Sequence, residues 1–133
     1  MTTTAQRSDG TQTYKVVDVT AAYTIDKDDC PILIVNTSAA GAVTVTLPQD
    51  AKAGSVVTAV ATVAQVLDIE SGTAGAIYAS NGTTFAKQTD DRYVRADGIG
   101  DQVTLVADGN GDWIAINQGA MAQAATVGFQ TVG

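Results

Sequence analysis

Histidine is absent from the 133 residues. With it go the commonest general base and the commonest metal ligand, and neither a Ser-His-Asp nor a Cys-His arrangement can be assembled. Cysteine occurs once, so no disulfide closes within the chain, and the apolar followers Pro31-Ile32-Leu33 mark Cys30 as a small buried side chain. Of 14 acidic residues only Glu70 is a glutamate. Aspartate suits turns and glutamate suits helices, so long helices are not expected. Lys and Arg number 7, scattered along the chain, and the net charge is −7. Without a basic stripe to neutralise phosphates, neither nucleic acid nor an anionic membrane is an expected partner. The most apolar window, Val56 to Leu67, is interrupted by Thr58, Thr62 and Gln65 and is too short to cross a bilayer. Met1 to Gly10 holds no apolar segment of a secretory signal, and none is expected. Aromatic residues are few, with two Phe, one Trp and four Tyr, so Ala and Val supply most of the 45% hydrophobic content. Side chains of that size fill a thin layer between sheets and leave a lone copy little apolar area to bury. One core is expected at this length.

What is present is alternation. Val103, Leu105 and Ala107 fall at every second residue, as do Trp113, Ala115 and Asn117, with Ile114 and Ile116 on the other face. Period two means strands, and Asp108-Gly109-Asn110-Gly111-Asp112 between them supplies residues that reach positive φ cheaply, so Gln102 to Asn117 reads as a β-hairpin. The rest of the chain is expected to pack around it. Tyr14 to Val19 and Tyr23 to Ile25 read as short strands. Pro31 to Val35 is a continuous apolar run that fits a central strand buried on both faces. Ala42 to Leu47 alternates until Pro48. Ser55 to Val63 is rich in β-branched residues and favours a strand, with a helix from about Asp50 to Val66 as the alternative because alanine is plentiful. Gln65 to Glu70 and Ala76 to Tyr78 follow. Asn81-Gly82 predicts a hairpin pairing Thr83 to Ala86 with Ala76 to Ala79, and Tyr93 to Arg95 is a strand fragment.

These segments predict an all-β domain of roughly eight to ten short antiparallel strands, a sandwich, jelly roll or barrel, over residues 14–118. Residues 1–13 are polar and read as a flexible arm, and the Ala/Gly-rich residues 119–133 as a weakly structured tail. No solenoid period is visible.

Candidate chemistry is thin. Gly98-Ile99-Gly100 lacks the third glycine and following helix of a phosphate cradle. Asp108, Asn110 and Asp112 open like a calcium loop, but Trp113 stands where the turn glycine belongs and Gly119 where the bidentate glutamate belongs. They remain weak metal candidates beside their role in the turn, as do Asp26, Asp28 and Asp29. Asn36-Thr37-Ser38 and Asn81-Gly82-Thr83 fit the glycosylation pattern and are read as turns. Trp113, Tyr78, Phe85 and Tyr93 would make a sugar-binding platform if exposed together. Trp113, Val103, Leu105 and Ile114 are otherwise expected in core or inter-subunit packing. No catalysis and no cofactor is expected.

From about residue 23 to 117, the succession Tyr23-Thr24-Ile25, Ile32-Leu33-Ile34-Val35-Asn36, Val43-Thr44-Val45-Thr46-Leu47-Pro48, a turn ending at Gly54, and Val103-Thr104-Leu105-Val106-Ala107-Asp108-Gly109 before Asp112-Trp113 resembles a β-module of tailed-phage virions. Head decoration or cement proteins, head fibres and tail-fibre segments carry it. The resemblance implies a structural protein made in the host cytoplasm and placed on the outer capsid surface, commonly as a homotrimer, with the major capsid protein as partner. The chain length favours a cap on the head over a long fibre. Thr2, Thr3, Thr4, Gln6 and Arg7 of the arm are then the expected capsid contacts. A receptor- or glycan-binding fibre module and a tail or baseplate adaptor are the alternatives.

Overall fold

The computed structural model describes residues 13–72, 75–80, 85–87, 92–96, 98–119 and 128–131, and among them the regular secondary structure is almost wholly strand, as expected. The strands are β1 (Lys15–Asp18), β2 (Tyr23–Thr24), β3 (Ile32–Val35), β4 (Val43–Thr46), β5 (Val56–Val60), β6 (Leu67–Glu70), β7 (Ile77–Ser80), β8 (Phe85–Lys87), β9 (Arg92–Ala96), β10 (Gln102–Ala107), β11 (Trp113–Gly119) and β12 (Gly128–Thr131). A single 3-10 turn at Lys27–Asp29 lies between β2 and β3. Two sheets form, one of seven strands in the order β1-β3-β5-β10-β11-β7-β8 and one of five in the order β12-β9-β6-β4-β2. The Ala-rich stretch after Asp50 becomes strand β5, because Val56, Val57 and Val60 pack better on a pleated surface than on a helix.

The strand directions differ from the antiparallel expectation. β1, β3 and β5 run parallel side by side in the larger sheet, and β2, β4 and β6 do the same in the smaller one. The chain therefore changes sheet at every strand from β1 to β6. Residues 15–70 wind as a flattened coil that advances one strand spacing per turn, a solenoid-like path. The turns differ in length, since Lys15 lies beside Ile32 and Ile32 beside Val57. Unequal turns leave no fixed period in the sequence. The β10–β11 hairpin then closes the coil, with β10 antiparallel to β5 and β11 antiparallel to β10. β7 lies parallel to β11, and β8 pairs back on β7 with Ala79 opposite Ala86, as the Asn81-Gly82 signal predicted, although those two residues are outside the described set. Within the segment read as a tail, Gly128–Thr131 pairs with β9.

The core lies between the two sheets. Ile32, Ile34, Val57, Leu105, Ile77 and Trp113 face inward from the larger sheet, and Val43, Val45, Leu67, Ile69 and Val94 from the smaller. Trp113 is 1% exposed, and its indole Nε1 donates to the Pro48 carbonyl at 3.1 Å. The void between the sheets beside Ala59, Leu67, Val94 and Val103 measures about 10 Å³, no more than one water needs.

Two corners are tied by polar side chains. Asn36, fully buried, accepts from the backbone amides of Thr62 at 2.8 Å and Val63 at 3.4 Å, and its Nδ2 donates to the Gln65 carbonyl at 3.3 Å. The corner after β3 thus holds the corner after β5, one turn of the coil further on. In the hairpin turn, Gly109 and Gly111 take φ of 88° and 93°. Gly75 approaches this turn so closely that a β-carbon there would collide with the Gly111 carbonyl.

Candidate interaction faces

Of the aspartates that suggested a cation site, Asp26, Asp29, Asp108 and Asp112 are spent on the backbone or on lysines. Asp108 Oδ1 accepts from the amides of Asn110 at 2.7 Å and Asp112 at 3.2 Å, which folds the turn. Asp112 Oδ1 accepts from the Ala76 amide at 2.9 Å, while its Oδ2 meets Lys87 Nζ at 3.1 Å. Its carboxylate therefore joins three elements. Asp26 caps the 3-10 turn by accepting from the Asp28 amide, and Asp29 pairs with Lys15 at 3.0 Å. Among the described residues no group of three or more His, Cys, Asp or Glu gathers as a metal site would. Asp26, Asp28 and Asp50 border an open groove of about 500 Å³ between residues 24–28 and 46–50, where Lys27 pairs with Asp50 at 3.5 Å.

Cys30 is half-buried rather than fully buried, because it occupies the corner before β3 where one side stays open. Burial, reinforced by the charges of Asp29 and Asp26, pushes its thiol up to about 11. The thiolate is the nucleophile. At pH 8 a disulfide reagent should label the folded chain about a hundredfold more slowly than the unfolded chain, the rate climbing toward pH 11. Rapid labelling at pH 8 without unfolding would contradict this placement.

The aromatic platform does not assemble. Trp113 lies in the core and Tyr93 is 8% exposed on the smaller sheet, whereas Phe85, on β8 at the edge of the larger sheet, is 57% exposed. The expected packing set divides as well. Trp113, Val103 and Leu105 point into the core, and Ile114 points to the opposite, outward side of β11. The expected capsid contacts Thr2, Thr3, Thr4, Gln6 and Arg7 lie outside the described residues. No protein-family model matches the chain, and no curated protein matches it.

What the fold builds is a contrast between its two outer faces. The smaller sheet turns Thr44, Thr46, Asp68, Glu70 and Arg95 outward. Arg95 grips Asp68 through two bonds, Nε to Oδ1 at 2.8 Å and Nη2 to Oδ2 at 2.9 Å, and lies over the Tyr93 ring. That face is polar and charge-paired. The larger sheet turns outward Val16 from β1, Leu33 and Val35 from β3, Val56 and Val60 from β5, Val106 from β10 and Ile114 from β11. Asp18 on β1, Thr58 on β5, Gln102 and Thr104 on β10 and Asn117 on β11 are polar positions on the same side. Ile116, the extra residue of a bulge opposite Thr104 and Leu105, is 66% exposed. On the four strands from β3 to β11 the outward positions carry no charge.

This face was missed in the sequence, although a signal was there. Pro31 to Val35 is apolar at both parities, the pattern of a strand covered on both sides. In the structure β3 lies second from an edge rather than at the centre. Ile32 and Ile34 are fully buried, while Leu33 and Val35 are only half-buried on the outer side.

Proposed function

We propose that this chain is a structural protein of a tailed-phage virion, a capsid decoration or cement protein that adheres to the outer surface of the head. It acts by binding and performs no chemical step. The observation that carries this reading is the apolar outer face of the larger sheet on a body of net charge −7 whose smaller sheet turns the Arg95–Asp68 ion pair outward. Large exposed apolar patches on soluble domains mark surfaces that meet other proteins. The resemblance of residues 23–117 to head-decoration modules supplies the partner, the major capsid protein. A protein that binds only the expanded shell stabilises that state by mass action. The arm, with Thr2, Thr3, Thr4, Gln6 and Arg7, then lies on the capsid.

Electron microscopy of virions carrying a labelled copy tests this directly. Label is expected over the outer head surface at positions repeating with the shell. Label confined to the tail, or none on the particle, refutes the reading. Removing residues 1–13 should weaken attachment to heads by about tenfold or more, equivalent to roughly 1.4 kcal/mol of binding. Unchanged attachment would show that the arm is not the contact.

A further inference from the structure

The turn that closes β10 on β11 places an asparagine before a glycine, a pairing with chemistry of its own. The carboxamide carbon of an asparagine lies within reach of the next residue's backbone nitrogen. Attack of one on the other is opposed by the bulk of that next residue and by hydrogen bonds that hold either group still. Neither obstacle stands at Asn110-Gly111. Gly111 has no β-carbon and takes φ of 93°, and Asn110 is exposed. Asp108 Oδ1 accepts from the amides on either side, those of Asn110 and Asp112. Among the described residues, no partner takes the Gly111 amide between them or the Asn110 carboxamide.

The other described asparagines show the contrast. The Asn36 carboxamide is buried and bonded on both its atoms, and β-branched Thr37 follows it. Asn117 is held in the β11 ladder opposite Thr104, and Gln118 after it is bonded through its side chain to the Ser80 backbone. Asn81-Gly82 repeats the pairing in the sequence but lies outside the described residues.

We propose that Asn110 is a site of spontaneous covalent modification, converting to aspartate and isoaspartate through a cyclic imide. The Gly111 nitrogen gives its proton to hydroxide and bonds to the Asn110 side-chain carbonyl carbon, whose bond to the amide nitrogen breaks and releases ammonia. Water then opens the ring. Cleavage of the new bond leaves aspartate, and cleavage of the original peptide bond leaves isoaspartate, with the main chain rerouted through the side-chain carbonyl. Each conversion consumes one water, releases one ammonia and makes the chain of charge −7 one unit more negative.

The rerouted form falls where the fold leaves little slack. The Asp108 amide donates to the Asp112 carbonyl at 3.0 Å, the Gly111 carbonyl lies against Gly75, and the Asp112 carboxylate holds the Ala76 amide and Lys87. An extra main-chain carbon between residues 110 and 111 disturbs all of these. Isoaspartate therefore loosens the hairpin beside β7, whereas aspartate only adds charge.

Peptide mapping by mass spectrometry of the purified full chain, held for weeks in mildly alkaline buffer, tests this. The peptide containing Asn110 should gain the mass of an amide-to-acid exchange and accept methyl groups from an isoaspartyl methyltransferase. Its conversion should quicken about tenfold per pH unit, because the attacking nitrogen is the deprotonated one. If the folded turn already presents the two groups, conversion runs within about tenfold of the rate in guanidinium, with no wait for local unfolding. Peptides with Asn36 and Asn117 should stay unchanged, and fragment ions read Asn81 separately. The amides of Asp108 and Asp112 should exchange faster in the aged chain. Asn110→Ser, at an exposed position, should keep the circular-dichroism spectrum and show neither isoaspartate in the turn nor faster exchange after the same treatment. An Asn110 peptide that converts only in guanidinium overturns the proposal, as does isoaspartate in the turn of the serine variant, which would place the chemistry at Asp108-Gly109.

Discussion

Trp113→Ala is expected to destabilise the folded chain by about 3–5 kcal/mol, the usual cost of deleting a large aromatic from a close-packed core. The indole is 1% exposed at the start of β11, where the hairpin meets β7, and it reaches the loop after β4 through the bond to the Pro48 carbonyl. Alanine would leave a cavity lined by small side chains that cannot collapse far, because backbone pairing on both sides fixes β11. It would also strand a buried carbonyl, adding a penalty of about 1–3 kcal/mol where water cannot reach it. A domain of this size is typically stable by only about 5–15 kcal/mol, so the loss is a large fraction of the total. Trp113→Phe should cost less, since the ring keeps most of the contact and loses only the donor. Guanidinium unfolding followed by far-ultraviolet circular dichroism measures both. A loss under about 1 kcal/mol for the alanine variant would mean that the indole does not anchor the two sheets.

The hairpin containing Trp113 was the most legible part of the chain because both of its signals are local. Alternation assigns the faces and the Asp-Gly-Asn-Gly-Asp turn assigns the reversal. Even there the reading slipped at its end. Simple alternation puts Asn117 on the inward side with Trp113 and Ala115, whereas the bulge pairs Asn117 with Thr104 and leaves it exposed. A bulge adds one residue to one strand, and composition gives no warning of it.

The coil was illegible for a different reason. A short turn such as Asn36 to Ala42 serves equally well to fold a strand back on its neighbour or to carry the chain across to the other sheet. Alternation is the same in both cases. Parallel neighbours need a crossover of a dozen or more residues, and here the intervening strand of the opposite sheet supplies it: β4 lies between β3 and β5 in the chain. Pairing partners one turn apart leave no mark on either strand. The outer apolar face followed the same pattern, visible as an excess of apolar residues in Pro31 to Val35 but misread as central burial because the described residues place no layer over it.

Asn36 is the residue through which one turn of that coil registers on the next, and its replacement should be the most costly polar change. Its carboxamide accepts from two backbone amides and from the Thr62 hydroxyl, and donates to the Gln65 carbonyl, at a position with 0% exposure. Asn36→Ala removes every one of these partners at once. Buried groups left unpaired cost about 1–3 kcal/mol each, moderated by whatever water enters the vacated space, so a loss of about 2–4 kcal/mol is expected. Asn36→Leu nearly preserves the volume and restores none of the bonds. It should therefore be at least as damaging as alanine, which separates the bonding from the packing. The neighbouring contact between the hydroxyls of Thr37 and Thr62, at 2.7 Å, ties the same two corners on the exposed side and is not able to replace it, since hydroxyls open to water contribute little. Amide hydrogen exchange gives the local readout: Thr62 and Val63 should exchange much faster in both variants, while amides in β10 and β11 change only as far as global stability falls. If the leucine variant is as stable as wild type, Asn36 fills space, and the advance of the coil from β3 to β5 depends on strand pairing alone.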